Sequence, residues 1–263
     1  MLPTTLEWRG LELGPATAYQ TVRIDGWEDL PPLDSGDGPR PGRHGDRPGV
    51  PYARARTITV TGRIRTSRDA VADRLRQLRQ ACAVPDDETL HPLTITALGE
   101  TLSVDARVSQ RIISVDKHAR LGHIPYVLQW TCPDPIRYDP DPVHVVVPAG
   151  QERYLPQNGS TSSRPTLTFY GPAQAPLELT LTTPTGRVFT LAWTGRLSTN
   201  VLAEWDVLVV NCSTGVTTGA LVNLAGLPPE AFAIPPGVST VALSAPGAGP
   251  NTRVHISYRH AYL

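Results

Sequence analysis

Lysine is almost absent from this chain: Lys117 is the single lysine among 24 basic side chains, and the others are arginine. The basic residues are balanced by 24 acidic residues, so the formal net charge is zero. A balanced charge removes the simplest electrostatic argument for a nucleic-acid or anionic-membrane partner. The guanidinium group suits fixed, bidentate contacts between surfaces, but a GC-rich genome also favours arginine codons. The arginine excess is therefore weak evidence for interfaces.

Cysteine is scarce, and long apolar runs are missing. Cys82, Cys132 and Cys212 are widely spaced and odd in number, which fits neither a disulfide framework nor a Cys-x-x-Cys site, so we expect buried thiols. No window reaches the roughly eighteen apolar residues of a membrane-spanning helix. The first residues, Met1–Trp8, lack a charged segment followed by an apolar stretch. We expect a soluble protein with no export signal and no membrane partner.

Motifs that would indicate an enzyme are also missing. The sequence contains no Gly-x-Ser-x-Gly nucleophile elbow and no Gly-x-x-x-x-Gly-Lys phosphate loop. The pairs His118 and His123, and His255 and His260, do not have the spacing of metal ligands on one helix or strand face. The acidic stretch 86–88 lacks the other ligands of a calcium loop and is typical of a solvated turn. The sequence predicts no catalytic residues, no metal and no cofactor.

Proline and glycine, in contrast, are abundant, with 27 and 22 residues. They fall between apolar, alternating segments, which is typical of a sheet protein with many turns. In the N-terminal half, this pattern predicts strands at 6–8, 21–24, 57–65, 93–97, 102–108 and 124–130. In the C-terminal half, it predicts strands at 166–170, 177–182, 187–193, 206–211, 219–222, 240–244 and 253–262. We therefore predict a mainly β fold.

One segment predicts a helix. Ser67 is a good N-cap residue, and the apolar residues from Val71 to Cys82 recur with helical spacing until Pro85 prevents further helix. Together with the strands, this helix gives the N-terminal part an α+β arrangement. A polar helix face is usually solvated, although its arginines could instead contact another subunit. The polar face of this helix carries Arg68, Arg76 and Arg79.

Two stretches lack periodicity. Residues 31–51 are dominated by Gly, Pro, Asp and Arg, and such a stretch is either a mobile loop or a segment that becomes ordered on assembly. Farther along, prolines follow Cys132, and the polar run Gln157–Ser163 comes after them. This composition predicts a linker and a domain boundary near 150–163, which we place so that the domains are 1–150 and 151–263. Charge also changes there, because 37 of the 48 charged residues precede Gln151.

Two tryptophans of the C-terminal half, Trp193 and Trp205, could form a stacking platform for a sugar. Trp193 is in phase with Phe189 and Leu191, which is typical of a strand that faces a core. Trp205 therefore remains as the candidate glycan contact.

The order of these features resembles the distal tail proteins of bacteriophages with long, non-contractile tails. The similarity extends over nearly the whole chain and depends on the order of segments and on turn residues. The segments that carry it are the loop 38–45, the arginine-rich strand and helix 56–82, the opening of the second domain at 158–165, and the segments 206–211, 228–237 and 254–262.

This resemblance implies an N-terminal domain that forms a homo-hexameric ring and a galectin-like β-sandwich as the C-terminal domain. The protein would be a structural hub at the tail tip of the virion, assembled in the host cytoplasm, and not an enzyme. Its partners would be the tail tube protein and a tail-tip or tail-associated protein, such as a fibre or a lysin-like protein. Genomic DNA would pass through the ring without sequence-specific binding.

A carbohydrate-binding or receptor-binding tail module is the alternative, although the galectin sugar-binding pattern His-x-Asn-x-Arg is absent. A closed ring requires that one surface patch of a subunit meets a different patch of its neighbour. The arginine-rich helix and the long loop supply candidates for these patches. We predict subunit contacts at Arg40, Arg43, Tyr52, Arg68, Arg76 and Arg79.

Overall fold

The computed structural model describes residues 4–194, 201–203, 206–219, 224–226 and 228–263, with the backbone alone at 224–226. The chain divides into two compact units, Met1–Pro140 and Asp141–Tyr262. Strands predominate in both units, which confirms the predicted mainly β fold. In the described ranges no helix is long and apolar enough to cross a membrane.

The N-terminal unit combines strands with one α-helix in its described part. Its strands are β1 (Thr5–Trp8), β2 (Leu11–Leu13), β3 (Tyr19–Asp25), β4 (Leu33–Asp34), β5 (Gly38–Pro39), β6 (Asp46–Arg47), β7 (Tyr52–Ala53), β8 (Arg56–Arg65), β9 (His91–Ala97), β10 (Glu100–Ile113), β11 (His123–Cys132) and β12 (Arg137–Tyr138). Its helices are the 3₁₀ turn Arg68–Ala70, the α-helix α1 (Val71–Ala81) and the 3₁₀ turn Lys117–Leu121.

Most of these strands form one antiparallel sheet in the order β2-β1-β9-β10-β11-β8-β3, and β12 pairs with β10. Alternation decides which side chains are buried, because successive residues of a strand point to opposite faces. In β8 the buried set includes Ile58, Val60 and Ile64, as predicted. Gly62 lies between them, and its missing side chain leaves room for the ring of Tyr126 on β11, which would lie 2.4 Å from a Cβ atom there.

The helix α1 packs on the sheet through the end of its predicted apolar stripe. Leu78 and Cys82 are buried, and the indole Nε1 of Trp8 donates a hydrogen bond of 2.9 Å to the Ala81 carbonyl. The helical segment begins at Arg68, directly after Ser67, as predicted, but the expected capping bond is not formed. Ser67 has extended backbone and its side chain makes no capping hydrogen bond. Instead, the Ala70 N–H donates to the Ser67 carbonyl at 3.2 Å, which closes a 3₁₀ turn before the α-helix begins.

The C-terminal unit consists of short strands and one 3₁₀ turn, Pro229–Ala231, in its described part. Its strands are β13 (Val143–Pro148), β14 (Glu152–Gln157), β15 (Thr166–Tyr170), β16 (Ala173–Gln174), β17 (Leu177–Thr182), β18 (Val188–Trp193), β19 (Val201–Leu202), β20 (Val207–Asn211), β21 (Thr217–Thr218), β22 (Leu224–Gly226), β23 (Gly237–Ser244), β24 (Arg253–Tyr258) and β25 (Ala261–Tyr262). The strand predicted at 219–222 falls largely outside the described residues.

Two five-stranded antiparallel sheets share the core of this unit. Their strand orders are β13-β24-β15-β20-β21 and β14-β23-β17-β18-β22. Both sheets contribute side chains to one hydrophobic cluster, which includes Phe169, Leu179, Trp193 and Ile256. The two layers around a common core make this unit a β-sandwich.

The division between the units lies ten residues before the position predicted from composition. Strand β13 belongs to the C-terminal unit because it pairs with β24 over its whole length, from Val143 to Pro148. The polar run that we predicted as a linker also lies within this unit. Gln157 and Ser163 are buried, and the Ser163 N–H donates to the Ile234 carbonyl at 2.9 Å. Composition misled here because these polar groups are satisfied by hydrogen bonds inside the fold.

Candidate assembly interface

The stretch that lacks periodicity forms a long β-hairpin, which we call the arm and define as Leu33–Ala53. Its base is the antiparallel pair β4 and β7, and its outer part is the pair β5 and β6. The turn Arg40–Gly45 connects the outer strands. Two hydrogen bonds from side chains support the hairpin: Asp37 accepts from the Gly49 N–H at 2.7 Å, and Asp34 accepts from the Arg54 guanidinium at 3.1 Å.

The arm has no core of its own. From Pro32 to Ala55 every residue is exposed or half-buried. The predicted interface residues Arg40, Arg43 and Tyr52 all lie here, and the Tyr52 side chain is 69% exposed. The side chains of Arg40 and Arg43 form no hydrogen bond or ion pair with any residue in the described part of the chain. An isolated two-stranded hairpin is marginally stable in water, so this arm needs a surface to pack against.

A buried arginine holds the segment that leads into the arm. Arg56 is 1% exposed, and the two hydrogens of its Nη1 are shared among the carbonyls of Gly26, Trp27 and Asp29, which lie at 2.8, 3.0 and 2.7 Å. Its Nε donates to the Pro135 carbonyl at 3.0 Å. Burial is the main cause that lowers the pKa of this guanidinium, and the neighbouring charge of a second arginine adds to it. Arg56, at the start of β8, thus connects the segment 26–29 and the segment around Pro135 at the base of the arm.

A second arginine supports the same base. Arg137 lies over the ring of Trp27, with its guanidinium carbon 5.2 Å from the ring centroid, and donates to Glu28 at 3.1 Å. These contacts and those of Arg56 fix both sides of the segment 26–29. The interpretation of the sequence missed both residues, although Arg56 is in phase with the buried Ile58, which was an available signal.

The polar face of α1 carries the other predicted contacts. Arg68, Arg76 and Arg79 are exposed. Arg76 pairs with Asp73 at 2.8 Å, whereas the side chains of Arg68 and Arg79 make no hydrogen bond or ion pair with described residues. The structure therefore presents these arginines on a surface, and their role in subunit contacts stays a prediction.

The described residues offer little for catalysis or metal binding. Among them, no group of three or more His, Cys, Asp or Glu side chains could hold a metal ion. The three cysteines are free and buried, and burial raises the pKa of Cys82 to about 11 and the pKa values of Cys132 and Cys212 to about 12. A thiol with so high a pKa is not a nucleophile at neutral pH.

A polar aromatic cluster lies on an outer sheet face of the C-terminal unit. Arg253 lies over the ring of Tyr170 at 4.7 Å, and its Nε donates to His255 Nε2 at 3.0 Å. Burial, followed by the charge of Arg253, lowers the pKa of His255, so this histidine is the neutral partner in the hydrogen bond. The hydrogen bond lies within β24, and the stacking contact joins β24 to the paired strand β15. Trp193 is buried, as predicted, and Trp205 lies outside the described residues, so its role as a glycan contact stays a prediction.

Comparison with solved structures finds this fold in phage tail proteins. The crystal structure of the SPP1 Dit (gp 19.1) protein, described as a paradigm of the hub adsorption apparatus in phages that infect Gram-positive bacteria, has a TM-score of 0.67 and 14% sequence identity, with 99% of each chain covered. This likeness shows the fold of the chain and confirms, at that level, the resemblance to distal tail proteins.

Weaker likenesses were found to chains of the phage P2 baseplate in its activated conformation. The calcium form has a TM-score of 0.49 and 8% identity over 98% of each chain, and the strontium form has a TM-score of 0.47 and 8% identity over 97% of each chain. Scores below 0.5 do not support an argument about fold. No family model matches the sequence, and no curated protein is significantly similar to it.

Proposed function

We propose that this chain is a structural hub protein of a phage tail, as the resemblance implied. The observation that carries the proposal is the fold shared with SPP1 Dit, which extends over both units and 99% of each chain. An exposed arm with no core of its own adds to this, because such a segment is expected of a subunit that assembles with others. The protein acts in this proposal by contact and not by catalysis.

The finer features follow from this proposal. The N-terminal unit forms a six-membered ring between the tail tube protein and the tail-tip proteins of a long, non-contractile tail, and the ring leaves an opening for DNA. The C-terminal unit, a two-layered sandwich, lies at the periphery of this ring. The arginines on α1 and the arm contribute to the contacts between subunits, which must be heterologous for a ring to close.

Light scattering coupled to size exclusion, together with negative-stain images, tests the ring. We expect a particle with six times the subunit mass and six-fold views. Reversal of the charges at Arg68, Arg76 and Arg79 to Glu should lower the mass, because like charges across a contact repel. The matched control reverses Arg153 and Arg187, which are exposed on the C-terminal unit, and should leave the mass unchanged. A monomeric wild-type protein at high concentration would contradict the proposed function.

A further inference from the structure

The arm has two chemically different parts. Its stem exposes apolar side chains, with Val50 at 67% and Tyr52 at 69%. Its outer part is basic, since the segment 40–47 contains three arginines, one histidine and a single carboxylate. A surface that fits the arm must therefore combine an apolar groove with an excess of negative charge.

The N-terminal unit contains such a groove along β3. Strand β3 is the edge of the sheet, because it pairs with β8 on one side only. The groove has a volume of about 700 Å³, and its lining includes Val22, Ile24, Trp27 and Leu98. Its charged lining residues are Arg23, Asp25, Glu28 and Asp29. Three carboxylates face one arginine in this lining, and Glu28 also pairs with Arg137 at 3.1 Å. The groove therefore keeps an excess of one negative charge when Arg137 is counted, opposite in sign to that of the outer segment 40–47 of the arm.

Two residues of the groove are unusual for a surface that stays in water. Leu98 is 81% exposed and Val22 is 66% exposed. Leu98 also occupies the tight turn between β9 and β10 with φ at +53°, in the left-handed region that favours glycine and asparagine. A leucine is a poor residue for this turn and for this exposure. Both features are explained if its side chain contacts another molecule.

We infer that the arm of one subunit lies in the β3 groove of its neighbour. This inference rests on the proposed ring. The stem would cover Val22 and Leu98 with Val50 and Tyr52, and the arginines of the outer part would lie near the carboxylates of the groove. In the structure of one chain, the arm and these two groove residues remain exposed, so no other part of the described chain covers them.

The geometry also suits a closed ring. Arm and groove are different patches, so each contact leaves a free arm at one end and a free groove at the other. A strand advances about 3.3 Å per residue, so the seven residues from the base of the arm to its turn extend roughly 23 Å.

Cross-linking between two single-cysteine variants tests the contact directly. Val50→Cys places a thiol on the arm and Leu98→Cys places one in the groove, and the native thiols are buried. After each variant is prepared in the monomeric state and the two are mixed, a short bis-maleimide should give a covalent dimer of one arm variant and one groove variant. Neither variant alone should give this dimer. As a control, Leu121→Cys, at another exposed leucine, should not cross-link to Val50→Cys.

A second variant tests the groove without risk to the fold. Asparagine suits the left-handed backbone at position 98, so the Leu98→Asn monomer should be at least as stable as the wild-type monomer. At concentrations where the wild type forms a ring, this variant should have the mass of a monomer. The control Leu121→Asn should keep the ring.

The possible failures can be distinguished. In one outcome, both the wild type and Leu98→Asn form a ring and the mixed cysteine variants do not cross-link. The arm then does not bind this groove, but the hub proposal stands. If the wild type forms no ring at any concentration, the hub proposal itself fails.

Discussion

Replacement of Arg56 by methionine is the most demanding test of how the arm is held. The methionine side chain fills much of the same volume but cannot donate the four hydrogen bonds that Arg56 gives to the carbonyls of Gly26, Trp27, Asp29 and Pro135. Each hydrogen bond to a charged group contributes roughly 1.5–3 kcal/mol. Part of this is offset, because methionine also removes the cost of a buried charge, which is several kcal/mol. We expect a net loss of about 3–5 kcal/mol in the stability of the N-terminal unit.

The two units can unfold separately, so a single unfolding curve would mix them. Hydrogen exchange measured by mass spectrometry separates the units. Peptides from β8 and β11 should exchange roughly two to four powers of ten faster in Arg56→Met, since 1.4 kcal/mol corresponds to a factor of ten. Peptides from β15 and β24 in the C-terminal unit should be unchanged.

Arg54 provides a matched control two residues away. Its guanidinium pairs with Asp34 at 3.1 Å, and both side chains are well exposed. Exposed ion pairs contribute roughly 0–1 kcal/mol, so Arg54→Met should change exchange by less than a factor of about six. The reasoning would be refuted if Arg56→Met and Arg54→Met gave the same protection in β8. Arg56→Lys should fall between them, because lysine keeps the charge but not the planar donors.

Three further predictions concern packing and titration. Gly62→Ala should destabilise the N-terminal unit by about 1–3 kcal/mol in the same exchange experiment, because its Cβ would lie 2.4 Å from the Tyr126 ring, whereas Gly38→Ala, with open space around it, should have little effect. The buried thiols should not react with Ellman's reagent at pH 8 until the protein is unfolded, and reaction in the native state would contradict their raised pKa values. These thiols are Cys82, Cys132 and Cys212. Burial raises the pKa of Tyr258 from 10.0 to about 12, so the unfolded state loses this proton first, and the stability of the C-terminal unit should fall as pH rises from 10 towards 12. Tyr258→Phe should reduce that fall in alkaline unfolding curves.

Alternation predicted the long strands well because each has one buried face. In β11, Ile124, Tyr126, Leu128 and Trp130 are all buried, as their spacing indicated. The position of β13 could not be predicted in this way. Its partner β24 begins more than a hundred residues later, and nothing local in a proline-rich stretch records that pairing. Composition therefore placed the domain boundary too late.

The arm could not be predicted from the sequence for a different reason. A hairpin with no buried face has no alternation to detect, so Gly, Pro and charged residues indicated only a loop. The register of Gly38 opposite Arg47 depends on turns that the sequence does not specify uniquely. The strained Leu98 was also invisible, because the backbone conformation of a two-residue turn follows from the pairing of β9 with β10 and not from the leucine itself.

Composition cannot separate two groups of arginines in the N-terminal unit. The first group is used inside the fold: Arg56 donates to four carbonyls, and Arg111 donates to the carbonyls of Arg79 and Cys82 at the end of α1 at 2.8 and 3.0 Å. The second group, on the arm and on the polar face of α1, has exposed guanidinium groups. If a guanidinium that donates to carbonyls inside the fold turned to bind a partner, these carbonyls would lose their hydrogen bonds and the folded unit would lose stability. Charge changes in the first group should therefore reduce both the stability of the unit and its assembly. Charge changes in the second group should reduce assembly alone. This difference identifies which arginines form the contacts of the ring.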